Sequence, residues 1–169
     1  MTDTPSGIAF DALIGIGSNV GDKAQNIARA VSLLTADGAV RLVKVSGLYR
    51  SPPWGILDQD WFVNAAAAVK TDLPAHELLR RCLAVENEMG RVRQQKWGPR
   101  LVDVDVLTYR RETIDTHELK VPHPFIEQRP FVLVPLLEIA PDEPVRGRRV
   151  RDLARDIDVS DCVPLPDGA

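Results

Sequence analysis

Residues 102–106 read Val-Asp-Val-Asp-Val, an alternation of period two. In an extended strand successive side chains point to opposite faces, so Asp103 and Asp105 share one face while Val102, Val104 and Val106 share the other. Two acids therefore stand side by side. At about 5 Å separation and an effective dielectric of ~20 their carboxylates repel by roughly 3 kcal/mol, more than a marginally stable domain carries without compensation. A positive group has to sit there, either a divalent cation or an arginine. The plain alternative is a surface strand of alternating polarity with arginine partners nearby.

The segment leading into this strand bears on that choice. Arg91-Val92-Arg93-Gln94-Gln95-Lys96 and then Trp97-Gly98-Pro99-Arg100 put cations immediately before the paired acids. Guanidinium forks match phosphate oxygens, and a metal held by Asp103 and Asp105 would bridge the same phosphates, so together they describe a polyphosphate site.

The chain that must carry this strand has 169 residues and 44% hydrophobic composition, enough for one domain burying about 70% of its unfolded surface. One domain over residues 1–169 is expected, with a core at about 8–158 and a flexible tail at 159–169. A net charge of -3 argues against a nucleic-acid binder. Cys82 and Cys162 are too few and too far apart for a disulfide scaffold, and neither has partners at metal-ligand spacing, so a cytoplasmic protein is expected. No apolar run reaches membrane-spanning length, and no membrane partner is expected.

Residues 8–16 read as a buried strand, followed by a turn at Gly15-Ile16-Gly17-Ser18-Asn19-Val20-Gly21-Asp22. The turn lacks the Lys-Ser/Thr ending of a phosphate-binding loop and is read as structural. Asp22 caps a helix with the apolar stripe Ile27, Val31 and Leu34, stopped by Gly38. A second strand is expected over 40–49, then the rigid segment Arg50-Ser51-Pro52-Pro53-Trp54-Gly55, either a connector or the lining of a pocket. The strand expected over 61–70 sets Phe62 and Asn64 on one face; an amide there is either satisfied by backbone or reads a ligand's donor-acceptor pattern. A helix over 74–89 buries Leu78, Leu79, Cys82, Val85 and Met89, with Glu86 at the margin of that stripe and Gly90 as its stop. Arg110-Arg111-Glu112 is expected to turn the acid-bearing strand into a hairpin with Thr113-Ile114. His123 stands between Pro122 and Pro124, short helices are expected over 131–139 and 150–157, and 164–169 should fray.

Gly17-Ser18-Asn19, Tyr49-Arg50-Ser51-Pro52-Pro53, Asn64-Ala65-Ala66, Glu86, Gly90-Arg91-Val92-Arg93, residues 96–107 and Val121-Pro122-His123-Pro124 recur in one order and spacing. Together they resemble the 6-hydroxymethyl-7,8-dihydropterin pyrophosphokinase family of folate biosynthesis, over roughly residues 8–142. The resemblance implies an α+β fold, a ferredoxin-like sandwich with a central antiparallel sheet and helices packed on its faces, which the order of elements above independently fits. It implies transfer of the β,γ-diphosphoryl unit of ATP to the hydroxymethyl oxygen of the pterin, releasing AMP.

By the same resemblance, Asp103 and Asp105 would hold two Mg²⁺ ions, and Arg91 and Arg100 would grip the phosphates in the transition state. Glu86, Arg93, Lys96, Trp97, His123 and Arg129 would line the ATP side. Asn64 would read the pterin edge, helped by Ser51, Pro52 and Trp54, while Phe62 and Phe131 would sandwich the ring. Partners would be the two substrates alone, with a monomer expected. Two other readings are open: a ferredoxin-like RNA-binding module using Arg91, Arg93, Arg100, Arg110 and Arg111, which lacks the aromatic stacking pattern, and a Mg²⁺-dependent phosphotransferase with another acceptor.

Overall fold

The computed structural model describes residues 10–53, 60–90 and 101–165. The first strand, β1 (Ala12–Ser18), is buried along its whole length apart from the half-buried Gly15, and α1 (Lys23–Leu34) follows it. The expected turn at Gly15-Ile16-Gly17-Ser18 is instead part of β1, because strands on both sides hydrogen-bond to it as far as Ser18 and Gly17 respectively. The chain turns only at residues 19–22, where the Asp22 carboxylate accepts the Gln25 N–H at 3.1 Å and caps α1. That helix buries Ile27, Ala30 and Leu34 and ends at Leu34, ahead of the expected stop at Gly38.

The single strand expected over 40–49 is two, β2 (Val40–Val45) and β3 (Tyr49–Ser51). Both pair antiparallel with β4 (Phe62–Thr71), β2 against residues 67–71 and β3 against 62–64. Since β1 occupies one edge of β4, β2 and β3 lie end to end along the other. The break between them is held by side chains. Ser46 Oγ accepts the Ala66 N–H at 2.9 Å and donates to the Gly47 carbonyl at 2.7 Å.

Helix α2 (Ala75–Glu88) then leads to β5 (Asp103–Tyr109), which pairs antiparallel with the free edge of β1. Counting β2 and β3 as one bent strand, the order across the sheet is fourth, first, third, second in chain order, the ferredoxin-like arrangement. The register between β1 and β5 slips between Leu13 and Ile14, leaving Leu107 as the extra residue of a bulge.

The hairpin expected directly after β5 is displaced. Arg110 and Arg111 do turn the chain, with φ of 49° and 57°, but β6 (Ile114–Asp115) pairs with β7 (Lys120–Val121) and not with β5. A single 3-10 turn at Ile126–Gln128 leads into α3 (Pro130–Ile139), and then come β8 (Pro144–Val145), β9 (Arg148–Arg149) and α4 (Val150–Arg155). Pro130 opens α3, where its missing N–H costs nothing. The expectation of a tail from residue 159 is revised for its first part: β10 (Val163–Pro164) pairs with β3, and the Leu165 N–H donates to the Leu48 carbonyl at 2.9 Å.

Alternation along the strands divides the core in two. Ile14 and Ile16 of β1, Val63 and Ala65 of β4 and Val104 and Val106 of β5 face α1 and α2, joined by Val102 just before β5. Leu13, Ala66, Ala68 and Leu107 face α3 and α4 on the opposite side. The sheet is thus sandwiched, but α3 and α4 are short, and the part of their face carrying Asn64, Gly17 and Asp103 lies outside the apolar cluster.

Candidate active site

Three neighbouring strands present a row of residues on that part of the sheet face. Asn64 of β4 stands opposite Gly17 of β1, and Gly17 stands opposite Asp103 of β5. The next row is Ala66, Gly15 and Asp105. With adjacent strands about 4.8 Å apart, an amide and a carboxylate face the same space roughly 10 Å from each other, with only glycine between them. The alternation read from the sequence is realised: Val104 and Val106 are buried, Asp103 is half-buried and Asp105 is exposed. Gly17 has a packing reason, since a Cβ on it would lie 2.8 Å from Asn64 Oδ1.

Asn64 is 5% exposed, and its amide is oriented by Ser51 of β3, whose Oγ accepts from Nδ2 at 2.9 Å. Of the two sequence-level alternatives for Asn64, the bond seen is to a side chain. Ser51 is itself carried by β3, and that strand is tied to α3 through Glu138, which accepts from Tyr49 Oη at 2.6 Å and from the Gly47 N–H at 3.0 Å. Burial first, and then Glu138, push the Tyr49 phenol up to about 12, so it remains a donor. Tyr49 belongs to a block named in the sequence but was given no role there, and Glu138 was not singled out; no local pattern signals a bond across 89 residues.

On the other side of the row, Glu86 points inward from α2 at 4% exposure, and its Oε2 accepts the Val104 N–H at 2.8 Å. It therefore braces the outer edge of β5 between the two acids. Arg129, at the N-cap of α3, is half-buried. Burial holds its guanidinium below the ordinary range, while the charges of Asp105 and Asp103 act to raise it. Arg129 thus feels the field of both acids. Arg129 also lies over two rings, with its guanidinium carbon 5.0 Å from the centroid of Phe125 and 5.5 Å from that of Phe131.

His123 follows a cis peptide between Val121 and Pro122 and is held beside β5 by its N–H, which donates to the Leu107 carbonyl at 2.8 Å. Its Nδ1 accepts the Phe125 N–H at 3.2 Å. Burial, with Arg129 and Arg146 adding repulsion, lowers the ring's pKa to about 4. In the unfolded chain the ring takes up a proton near pH 6.5, so between about 4 and 6.5 the unfolded state binds more protons. The stabilising contribution of neutral His123 is then complete above pH 6.5 and is lost as the pH falls through 4. NMR titration of the free protein should find the His123 midpoint near pH 4; a midpoint at or above the ordinary value would contradict this burial.

Phe62 is half-buried on the same face of β4 as Asn64, and Phe131 is half-buried in the first turn of α3, which packs on β4. Pro52 is exposed just past β3. Arg91, Arg93, Lys96, Trp97, Arg100 and Trp54 lie outside the described residues. Asp60 and Trp61, just before β4, meet α1: Lys23 Nζ pairs with Asp60 Oδ2 at 2.9 Å and lies 3.8 Å from the Trp61 ring centroid. Asn19 Nδ2 donates to the Asp60 carbonyl at 3.4 Å. Burial raises both Cys82 and Cys162, the latter to about 11, so neither thiol is a ready nucleophile.

Among the described residues no three His, Cys, Asp or Glu side chains converge as a metal cage. The pair Asp103 and Asp105 fits Mg²⁺ all the same, because that ion keeps few protein ligands and takes its remaining oxygens from phosphates and water.

The 7,8-dihydro-6-hydroxymethylpterin-pyrophosphokinase (HPPK) family model matches residues 13–141. The chain belongs to this family. A 2-amino-4-hydroxy-6-hydroxymethyldihydropteridine pyrophosphokinase of Methylorubrum extorquens is 50% identical over 149 residues, covering 88% of this chain and 94% of that protein. The Bacillus subtilis protein of the same name is 47% identical over 128 residues, covering 76% of this chain and 77% of its own. An HPPK-DHPS crystal structure with substrates superposes with a TM-score of 0.73 at 12% identity, over 93% of this chain and 47% of that one, so this chain spans about half its length. At that identity the likeness is one of fold.

Proposed function

We propose that this chain transfers diphosphate from ATP to 6-hydroxymethyl-7,8-dihydropterin, giving the pterin diphosphate and AMP, as a step of folate biosynthesis. Family membership supports the reaction; the observation that carries the site is the row Asn64, Gly17 and Asp103 on one sheet face. An oriented amide at one end and a carboxylate pair at the other divide the space between a flat acceptor and a polyphosphate. Asn64, with Ser51 and Pro52, binds the pterin edge, and Phe62 and Phe131 take its faces. Gly17 leaves room for the Asn64 amide to keep that orientation.

Asp103 and Asp105 hold two Mg²⁺ ions, whose chemistry when bound is to neutralise charge on the phosphates and align them with the acceptor. Arg129 and neutral His123 bind the triphosphate, and Arg129 also offsets the acids before ATP arrives. Arg91 and Arg100 stabilise charge as the bond between the α- and β-phosphates breaks, with Arg93, Lys96 and Trp97 binding the nucleotide and Trp54 helping Asn64 bind the pterin edge. Glu86 acts on the ATP side through the strand it braces. The enzyme works as a cytoplasmic monomer, one domain over residues 1–169.

Purified protein given ATP should form AMP, and only when Mg²⁺ and hydroxymethyldihydropterin are both present. ADP as the nucleotide product, or AMP formation indifferent to the pterin, would overturn the reading.

A further inference from the structure

Residue 146 is an arginine in a place that favours glycine or asparagine. It forms, with Gly147, the two-residue turn between β8 and β9, and the two have φ of 50° and 85°. Such turns favour Asn-Gly, because other side chains strain at positive φ. An arginine kept there has a reason in what its side chain touches. Its Nη1 donates to the Pro122 carbonyl at 3.0 Å and its Nη2 to the His123 carbonyl at 2.8 Å. The same guanidinium forms a two-point pair with Glu127, with Nε to Oε2 at 2.6 Å and Nη2 to Oε1 at 2.5 Å. One planar group thereby joins both ends of the segment that carries His123 and runs into Arg129.

The platform for this arginine is fixed as well. Glu143, 7% exposed, accepts from Arg111 Nε and Nη2, each at 3.1 Å, which ties the start of the β8–β9 hairpin to the turn after β5. Arg146 lies beyond residue 141, where the family match ends.

We propose that Arg146 is a positioning residue of the nucleotide site: by spanning Pro122, His123 and Glu127 it holds segment 122–129 in the shape that presents His123 and Arg129 to the ATP phosphates. The inference rests on the pyrophosphokinase reading for what occupies the site. Lysine at 146 can pair with Glu127 but cannot reach two carbonyls and two carboxylate oxygens from one nitrogen.

The test is titration of the wild type and three variants with the α,β-methylene analogue of ATP plus Mg²⁺, and separately with hydroxymethyldihydropterin. Arg146→Ala should weaken analogue binding by about tenfold while pterin affinity stays within about twofold, the scale of one or two lost charge-assisted hydrogen bonds. Arg146→Lys should fall between, and it carries the test if the alanine variant does not fold. Arg148→Ala removes a pair with Asp156 at 2.6 Å on the same hairpin and should bind the analogue like wild type.

Analogue affinity within about twofold of wild type in the Arg146 variants would overturn the proposal, as would parallel loss of both ligands or an equal loss in Arg148→Ala. Failure of the functional reading looks different: wild-type protein that binds the analogue yet forms no AMP from ATP and the pterin.

Discussion

Asp105→Ala should lower AMP formation by about three orders of magnitude or more, since it removes a metal ligand from a reaction whose catalysis is mostly electrostatic. Asp103→Ala should behave alike. The fold should not suffer. Asp105 is exposed, Asp103 is half-buried, and both stand on the face where like charges repel. Removing either carboxylate relieves that repulsion, and the buried partners of β5, Val104 and Val106, are untouched. Melting temperature should hold or rise slightly while turnover collapses, and the isosteric Asp105→Asn should follow the same split. Calorimetry beside an AMP assay reads both quantities. Turnover near wild type in either variant would sink the assignment of these acids to the metal, and collapse of both turnover and melting temperature would mean that they serve the fold.

The second large effect is expected at the other end of the row. Asn64→Ala should weaken pterin binding by about a hundredfold, because a ligand edge left without its amide partner loses the bonds and keeps the desolvation cost. ATP affinity should change little, since Asn64 stands two strands from the acids. Gly17→Ala provides an independent route to the same outcome without touching the amide. Its new Cβ would fall 2.8 Å from Asn64 Oδ1, so the amide must swing away from Ser51 or the strands must part. Both variants should therefore lose pterin and retain nucleotide, as measured by titration with each ligand alone. Unchanged pterin affinity in Asn64→Ala would remove it from the acceptor site.

Where sequence reading succeeded and where it failed follows the range of the forces involved. The alternation at 102–106 stated which side chains share a face before any partner strand was known, and β5 obeys it. The Asp22 cap and the inward margin position of Glu86 were similarly legible, because capping and helical periodicity act within a few residues. Boundaries governed by partners were not. Gly15-Ile16-Gly17-Ser18 looked like a turn by composition, yet β4 and β5 draw it into the sheet. Residues 163–165 looked like a fraying end, yet β3 had an open edge to fill.

By itself, the sequence determined that two acids stand together on a strand and need a cation, that cations precede them, and that its motifs are those of one family. Side-chain alternation, charge and residue order are properties of the chain alone. Tertiary structure decided what meets those acids. It set Gly17 between Asp103 and Asn64, brought Arg129 to the acids from the cap of α3, turned Glu86 onto the edge of β5, and reached Arg146 back across 23 residues to the His123 carbonyl. Each of these depends on strand register or on a bond between residues far apart in the chain, and contacts of that kind exist only once the sheet has formed.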